Sequence, residues 1–222
     1  MKFGVLGTGT VGQTIGGKLV DLGHDVRMGS RTASNETAAK WVASSGARAS
    51  HGTFSDAAEF AEVVVNCTPG TVTLDVLKSV DAAAFDGKVM VDVSNPLDFS
   101  QGFPPSLSVV NTDSMAEQIQ RTLPRVRVVK ALNTVTADVM VQPGVVPGRH
   151  DLFIAGDDAA AKSDVRSLLT DFGWRSDDIH DLGGISAARA LEMYLPLWLQ
   201  LMGALGTPLF NIHVVSGTAP TG

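Results

Sequence analysis

Lys2-Phe3-Gly4-Val5-Leu6-Gly7-Thr8-Gly9-Thr10-Val11-Gly12 is the stretch on which the reading of this chain turns. Lys2 to Leu6 is a short apolar run that ends in glycines, as a buried strand does before a tight turn. From Val11 to Leu22, apolar residues at 11, 15, 19, 20 and 22 fall near helical spacing and stop at Gly23. Between strand and helix stands a Gly-x-Gly-x-x-Gly. In that setting each glycine has a task. Gly7 permits the tight turn, Gly9 lets a pyrophosphate approach the backbone, and Gly12 lets the helix pack closely on the strand. The unpaired N–H groups and the dipole at the helix start favour an anion there. Gly7, Thr8, Gly9, Thr10, Val11 and Gly12 are the expected cradle of a dinucleotide.

The same alternation continues outward. Asp25–Met28 reads as a second strand, 35–44 as a helix, Arg48–Ser50 as a short strand and 55–60 as a short helix. Glu62–Cys67 and Lys88–Val93 are β-branched, buried-strand runs separated by a helix over 72–80. Asp113-Ser114 caps a helix to about Thr122, and Arg125–Leu132 is the next strand. Continuous Val-rich strands alternating with helices predict a Rossmann-type, doubly wound parallel sheet covered on both faces. The last third reads as a strand over 151–155, a helix to Phe172, a weak strand over 177–181 and one long helix over 186–205. The expected division is residues 1–134, a nucleotide-binding domain, and 135–222, a small C-terminal α/β domain.

The tip of the second strand discriminates the nucleotide. An NAD site usually places an acid there on the ribose. This chain has Met28-Gly29-Ser30-Arg31-Thr32 and no carboxylate. Ser30, Arg31 and Thr32 suit a 2′-phosphate, because a guanidinium donates two parallel hydrogen bonds to it. Three more turns leave the carboxyl edge of the sheet, where ligands bind. They contribute Thr68 and Pro69, Ser94 and Asn95, and Asn133 and Thr134 as candidate cofactor contacts. These residue types are also ordinary turn formers.

Much else is excluded. With 23 acidic and 17 basic residues the net charge is −6, and no basic block offers a nucleic-acid face. The most apolar stretch, 194–205, is short of the roughly 20 residues a membrane span needs. One cysteine, Cys67, allows no internal disulfide and fits a reducing cytoplasm. The five histidines are dispersed, and no metal-ligand spacing occurs. No side chain is firmly assigned to catalysis. Lys130 is a possible acid or substrate anchor, although a strand lysine there is as readily explained by pairing with Asp92. Asn133 is a possible donor to a ring carbonyl. Arg189 and Glu192, at i,i+3, are expected to pair. The 186–205 helix is apolar all round and is expected to be buried between domains or subunits.

The residues also match a known family. Gly7 to Gly12, Leu22-Gly23-His24, Met28-Gly29-Ser30-Arg31, Asp92 to Leu97, Val129 to Thr134, Ala155-Gly156-Asp157-Asp158 and Ala188 to Glu192 resemble the NADP-dependent coenzyme F420 reductases. The resemblance runs along nearly the whole chain. It implies NADP(H) on the fingerprint with Ser30 and Arg31 at its 2′-phosphate, a deazaflavin stacked on the nicotinamide in an interdomain cleft, and a homodimer. Asn133 stands where archaeal members carry a His. The Lys-Ala-x-Asn-Thr form is also similar to the reductase domain of membrane metalloreductases, which pass hydride to a flavin. Hydride transfer between two such cofactors needs orientation from the protein and no obligatory side-chain acid, because water can protonate the ring nitrogen. Two rival readings are a small-metabolite dehydrogenase or imine reductase using Lys130, and a non-catalytic NADP sensor.

Overall fold

The computed structural model describes residues 1–217. Its first part runs β1 (Lys2–Leu6), α1 (Thr10–Asp21), β2 (Asp25–Ser30), α2 (Glu36–Ser45), β3 (Ala49–Thr53), α3 (Phe54–Phe60), β4 (Val63–Asn66), α4 (Gly70–Lys78) and β5 (Val89–Asp92). A hairpin of β6 (Leu97–Asp98) and β7 (Ser106–Leu107) precedes α5 (Met115–Thr122) and β8 (Arg127–Lys130). Six strands pair in parallel in the order β3-β2-β1-β4-β5-β8. The order reverses between β1 and β4, and the carboxyl ends there open the crevice in which such sheets bind ligands.

Local chemistry explains the element ends. Asn35 caps α2 by accepting from the Ala38 N–H, and Ser114 caps α5 by accepting from Glu117. The short helix α3 is capped by Thr53 in a reciprocal box with Asp56, two residues before the Ser55 cap the sequence suggests. Val63, Val64, Val65, Val89, Met90 and Val91 are buried, so the central strands are covered on both faces.

The last third adds α6 (Ala137–Val141), β9 (Leu152–Ile154), α7 (Ala159–Asp171), β10 (Ile179–Asp181), α8 (Ala188–Met193) and α9 (Leu195–Leu205). Strands β9 and β10 form their own parallel pair. A single bridge, Lys130 to Ala155, ties β9's end to the main sheet. One apolar cluster holds Val129 and Ala131 together with Leu152, Ile154, Val165 and Leu169.

The expected single helix over 186–205 is two helices meeting at Tyr194. Pro196 sits in the first turn of α9 and has no N–H for the Glu192 carbonyl, so it starts a helix there rather than continuing one. Nor is this segment wholly buried within the chain. Within α9 only Leu195 is buried, while Leu197 is 55% and Leu205 57% exposed. Gly206, in the left-handed region at φ 68°, ends α9.

Candidate functional site

The fingerprint shows how three glycines divide the work. Gly7 has φ 116°, and a Cβ there would come within 2.9 Å of the Cys67 carbonyl oxygen. A Cβ on Gly12 would land on the Gly7 carbonyl oxygen. A Cβ on Gly9 would meet nothing within 4 Å. Gly9 therefore faces open space that a ligand backbone can enter. It is also the N-cap of α1, with no side-chain cap, which leaves the first-turn N–H groups available to an anion.

A cavity of about 610 Å³ lies over this turn and brings together Gly7 to Val11, Ser30 to Thr32, Thr68 and Pro69. Arg31 is exposed at its rim and makes no hydrogen bond or ion pair among the described residues. Ser30 differs. It is 3% exposed, and its hydroxyl donates to the Thr32 carbonyl at 2.6 Å. Its proton therefore shapes the turn, and Arg31 is the cationic group left for a phosphate. Phe54, Val72 and Val76 also line the cavity and were not signalled by any motif. They are apolar residues, Phe54 at the start of α3 and Val72 and Val76 one turn apart along α4, and no sequence pattern marks them.

Further along the edge, the turns after β5 and β8 are stapled together. Asn95 Nδ2 donates to the Asn133 carbonyl, and Asn133 Nδ2 donates to Asn95 Oδ1, both at 2.9 Å. Asn133 Nδ2 also donates to the Leu191 carbonyl at 3.1 Å. The side-chain donors expected to meet a ring carbonyl are thus engaged. What remains is Asn133 Oδ1, a buried acceptor without a partner among the described residues. Thr134 is buried beside it. A second cavity, about 260 Å³, is walled by Asn95, Asn133, Leu195 and Trp198 and floored by Thr10 and Val11, which it shares with the first. The indole Nε1 of Trp198 is likewise buried and unpartnered among the described residues. An open glycine cradle beside a second void walled by Asn133, Leu195 and Trp198 fits a dinucleotide followed by a second ring.

Behind these turns lies a fully buried polar network. Asp92 Oδ1 accepts from Asn66 Nδ2 and from the Ser94 hydroxyl, both at 2.8 Å. Thr68 donates its hydroxyl to Asn66 Oδ1 at 2.7 Å. Thr68 and Ser94 hence point their hydroxyls inward, away from the groove. Lys130, 0% exposed, reaches Asp92 Oδ2 at 2.9 Å, Glu192 Oε1 at 2.8 Å and the Ser94 carbonyl. An ammonium has three protons, and here each has an acceptor. Burial works against the charged lysine, but Asp92 and Glu192 outweigh it and hold its pKa above the ordinary value. Burial pushes the Glu192 carboxyl up, with Lys130 pulling the other way. As a proton donor to a substrate, Lys130 is badly placed. As a partner of Asp92, it is where a bland reading of a strand lysine puts it.

The expected Arg189–Glu192 pair does not form. Arg189 forks onto Glu117 at 2.8 and 2.6 Å, and Glu192 takes Lys130 and the Met115 and Ala116 N–H groups. Partners far along the chain displaced the i,i+3 neighbour. The histidines are also less scattered than their numbers suggest. His213 Nδ1 lies 3.0 Å and His180 Nε2 3.3 Å from the buried carboxylate of Asp151. No group of His, Cys, Asp and Glu among the described residues is arranged to hold a metal ion. Burial raises the Cys67 thiol pKa, which makes it a small apolar side chain. Among the described residues no helix is long and apolar enough to cross a membrane.

Residues 2–96 match the family model of coenzyme F420-dependent NADP oxidoreductases. A candidate F420-dependent NADP-reductase from an Arthrobacter species, known from its crystal structure, is 47% identical, with a TM-score of 0.92 over 97% of this chain and all of that one. The metalloreductase STEAP3 of Rattus norvegicus is 28% identical over 201 residues, which are 89% of this chain and 38% of that protein. The chain thus spans well under half the length of that relative. An imine reductase from Bacillus cereus shares the fold at 17% identity and a TM-score of 0.61, over 92% of this chain and 62% of its own. Near-complete alignment at 47% identity, on a chain whose fingerprint and open cradle fit a dinucleotide, settles the membership: the protein belongs to the coenzyme F420-dependent NADP oxidoreductase family and is an NADP-dependent oxidoreductase.

Proposed function

We propose that the protein transfers a hydride between NADP(H) and coenzyme F420, a deazaflavin, in the groove along the carboxyl edge of the sheet. The observation that carries this reading is the pair of adjoining cavities with a shared floor, Thr10 and Val11. The larger suits a dinucleotide anchored by Arg31 and the start of α1. The smaller, against Asn133, Leu195 and Trp198, suits part of a second ring. When bound, NADPH supplies the hydride and the second ring takes it up. The chain's own part is to orient and to exclude water. Arg31 holds a phosphate, the Asn95–Asn133 staple fixes the wall, and Leu195 and Trp198 provide an apolar surface. Reacting carbons must be held about 3–3.5 Å apart, which a rigid staple favours over a mobile loop.

A flavin as acceptor is the second reading, supported by the likeness to the rat metalloreductase. A small-metabolite dehydrogenase is disfavoured by the complete burial of Lys130. The proposal extends to a cytoplasmic homodimer in which the exposed face of α9 is covered, and to a functional division of the chain at Thr134. The test is an acceptor screen with NADPH, covering F420, FMN, FAD, quinones and ferric chelates. Fastest turnover on F420 supports the proposal. Preference for FMN or FAD moves the assignment to the flavin reading, and turnover of none of F420, FMN and FAD overturns both.

A further inference from the structure

Lys130, Asp92 and Glu192 join three separate parts of the fold. Asp92 ends β5, Lys130 ends β8 and Glu192 lies in α8. Glu192 also accepts the Met115 N–H at 2.8 Å and the Ala116 N–H at 3.2 Å, so the start of α5 belongs to the same cluster. One residue before Glu192, the Leu191 carbonyl accepts from Asn133 Nδ2. One and two turns after it, Leu195 and Trp198 wall the smaller cavity. All three charged side chains are buried, and none lines either cavity.

We infer that Lys130 is a positioning residue: by gripping Glu192 it fixes α8 against the sheet edge, and so sets the place of Asn133, Leu195 and Trp198 around the second ring. The inference rests on the two-cavity reading for what is positioned, but the coupling itself is a property of this chain. A buried ion pair broken on one side leaves an uncompensated charge, whereas replacing both partners with apolar groups is often tolerated. That asymmetry supplies the test. In Lys130→Met, Glu192 and Asp92 are both stranded. Glu192→Leu leaves Lys130 with Asp92 and Ser94 and is the milder variant. Lys130→Met/Glu192→Leu removes the pair together.

Hydrogen exchange by peptide needs no turnover. Lys130→Met is expected to speed exchange in 186–205 and in the first turn of α5, with β1 unchanged. Glu192→Leu does the same to a smaller degree and carries the test if Lys130→Met does not fold. The double variant, which leaves one stranded carboxylate, Asp92, in place of two, recovers part of the protection. In turnover of F420 with NADPH, the single variants are expected to lose roughly 10- to 100-fold in kcat/KM, mostly in KM for F420, as misplacement of a wall does. NADPH affinity and the pH profile of kcat stay as in the wild type. The inference is overturned if exchange in 186–205 is the same in both single variants. It is also overturned if the double variant keeps its protection yet loses about 10²–10⁴-fold in kcat with a limb of the pH profile, which is the mark of a lost general acid. A wild type that turns over no F420 would sink the proposed reaction, while the exchange data would still decide the coupling.

Discussion

Gly9 and Gly12 are three residues apart and answer to different constraints. At Gly9 a side chain meets no protein atom, and at Gly12 it collides with the Gly7 carbonyl. Gly9→Val is therefore expected to melt like the wild type and to lose NADPH binding, whereas Gly12→Val loses about 1–3 kcal/mol or more of stability. Thermal melts beside nucleotide titrations separate the two, and normal NADPH binding by Gly9→Val would make the cradle a structural turn only. Arg31→Ala is expected to weaken NADPH by roughly 1–3 kcal/mol and to leave NADH nearly unchanged. Equal losses in the two titrations would remove Arg31 from the 2′-phosphate. These residues were legible in the sequence because a turn's demands are local. The Lys130–Asp92 pair was legible too, but the second carboxylate on Lys130, Glu192, and the Leu191 carbonyl that takes the Asn133 amide were not, because they sit some sixty residues away.

Among the elements, the six strands and their helices followed from hydrophobic runs and caps. The short pieces escaped: the β6–β7 hairpin lies in a stretch whose Pro, Gly and Ser content reads as loop, and α6, at five residues, is too short for a helical period to show. The 186–205 segment was misread as continuous because its apolar pattern runs straight through Pro196. How much of it this chain itself covers was not legible, because composition cannot say which part of a wholly apolar surface meets the chain's own core. Leu195 is buried, and Leu197 and Leu205 are left in solvent. An exposed apolar face of this kind is what a two-fold partner buries twice. On the homodimer reading, Leu197→Glu with Leu205→Glu halves the mass seen by light scattering. A wild type that already runs at 23.2 kDa at micromolar concentration ends that reading.

At the scale of the whole molecule, the last described residues are tied down by one acid. Asp151 accepts from His213 Nδ1 at 3.0 Å and from the Val214 N–H at 2.6 Å, and its own N–H donates to the Ile212 carbonyl. Burial would raise this carboxyl, but the Val214 N–H, His213 and His180 overcome it and hold it below the ordinary carboxylate range. A depressed acid stabilises the fold above its unfolded pKa and gives that up as pH falls through the folded value. Hydrogen exchange in 207–217, corrected for intrinsic rates, is expected to stay slow from pH 7 to about pH 4 and to quicken only below. Asp151→Asn is expected to quicken it at pH 7. Loosening of the wild-type segment already near pH 6 would show that Asp151 is not what holds it. The floor shared by the two cavities, Thr10 and Val11, bears on the order of events. On the two-cavity reading, a nucleotide and an acceptor that rest on the same two residues occupy the groove together for direct transfer. Reciprocal plots of initial rate at several fixed acceptor concentrations should then intersect, as for a ternary complex, and not run parallel as in a ping-pong exchange.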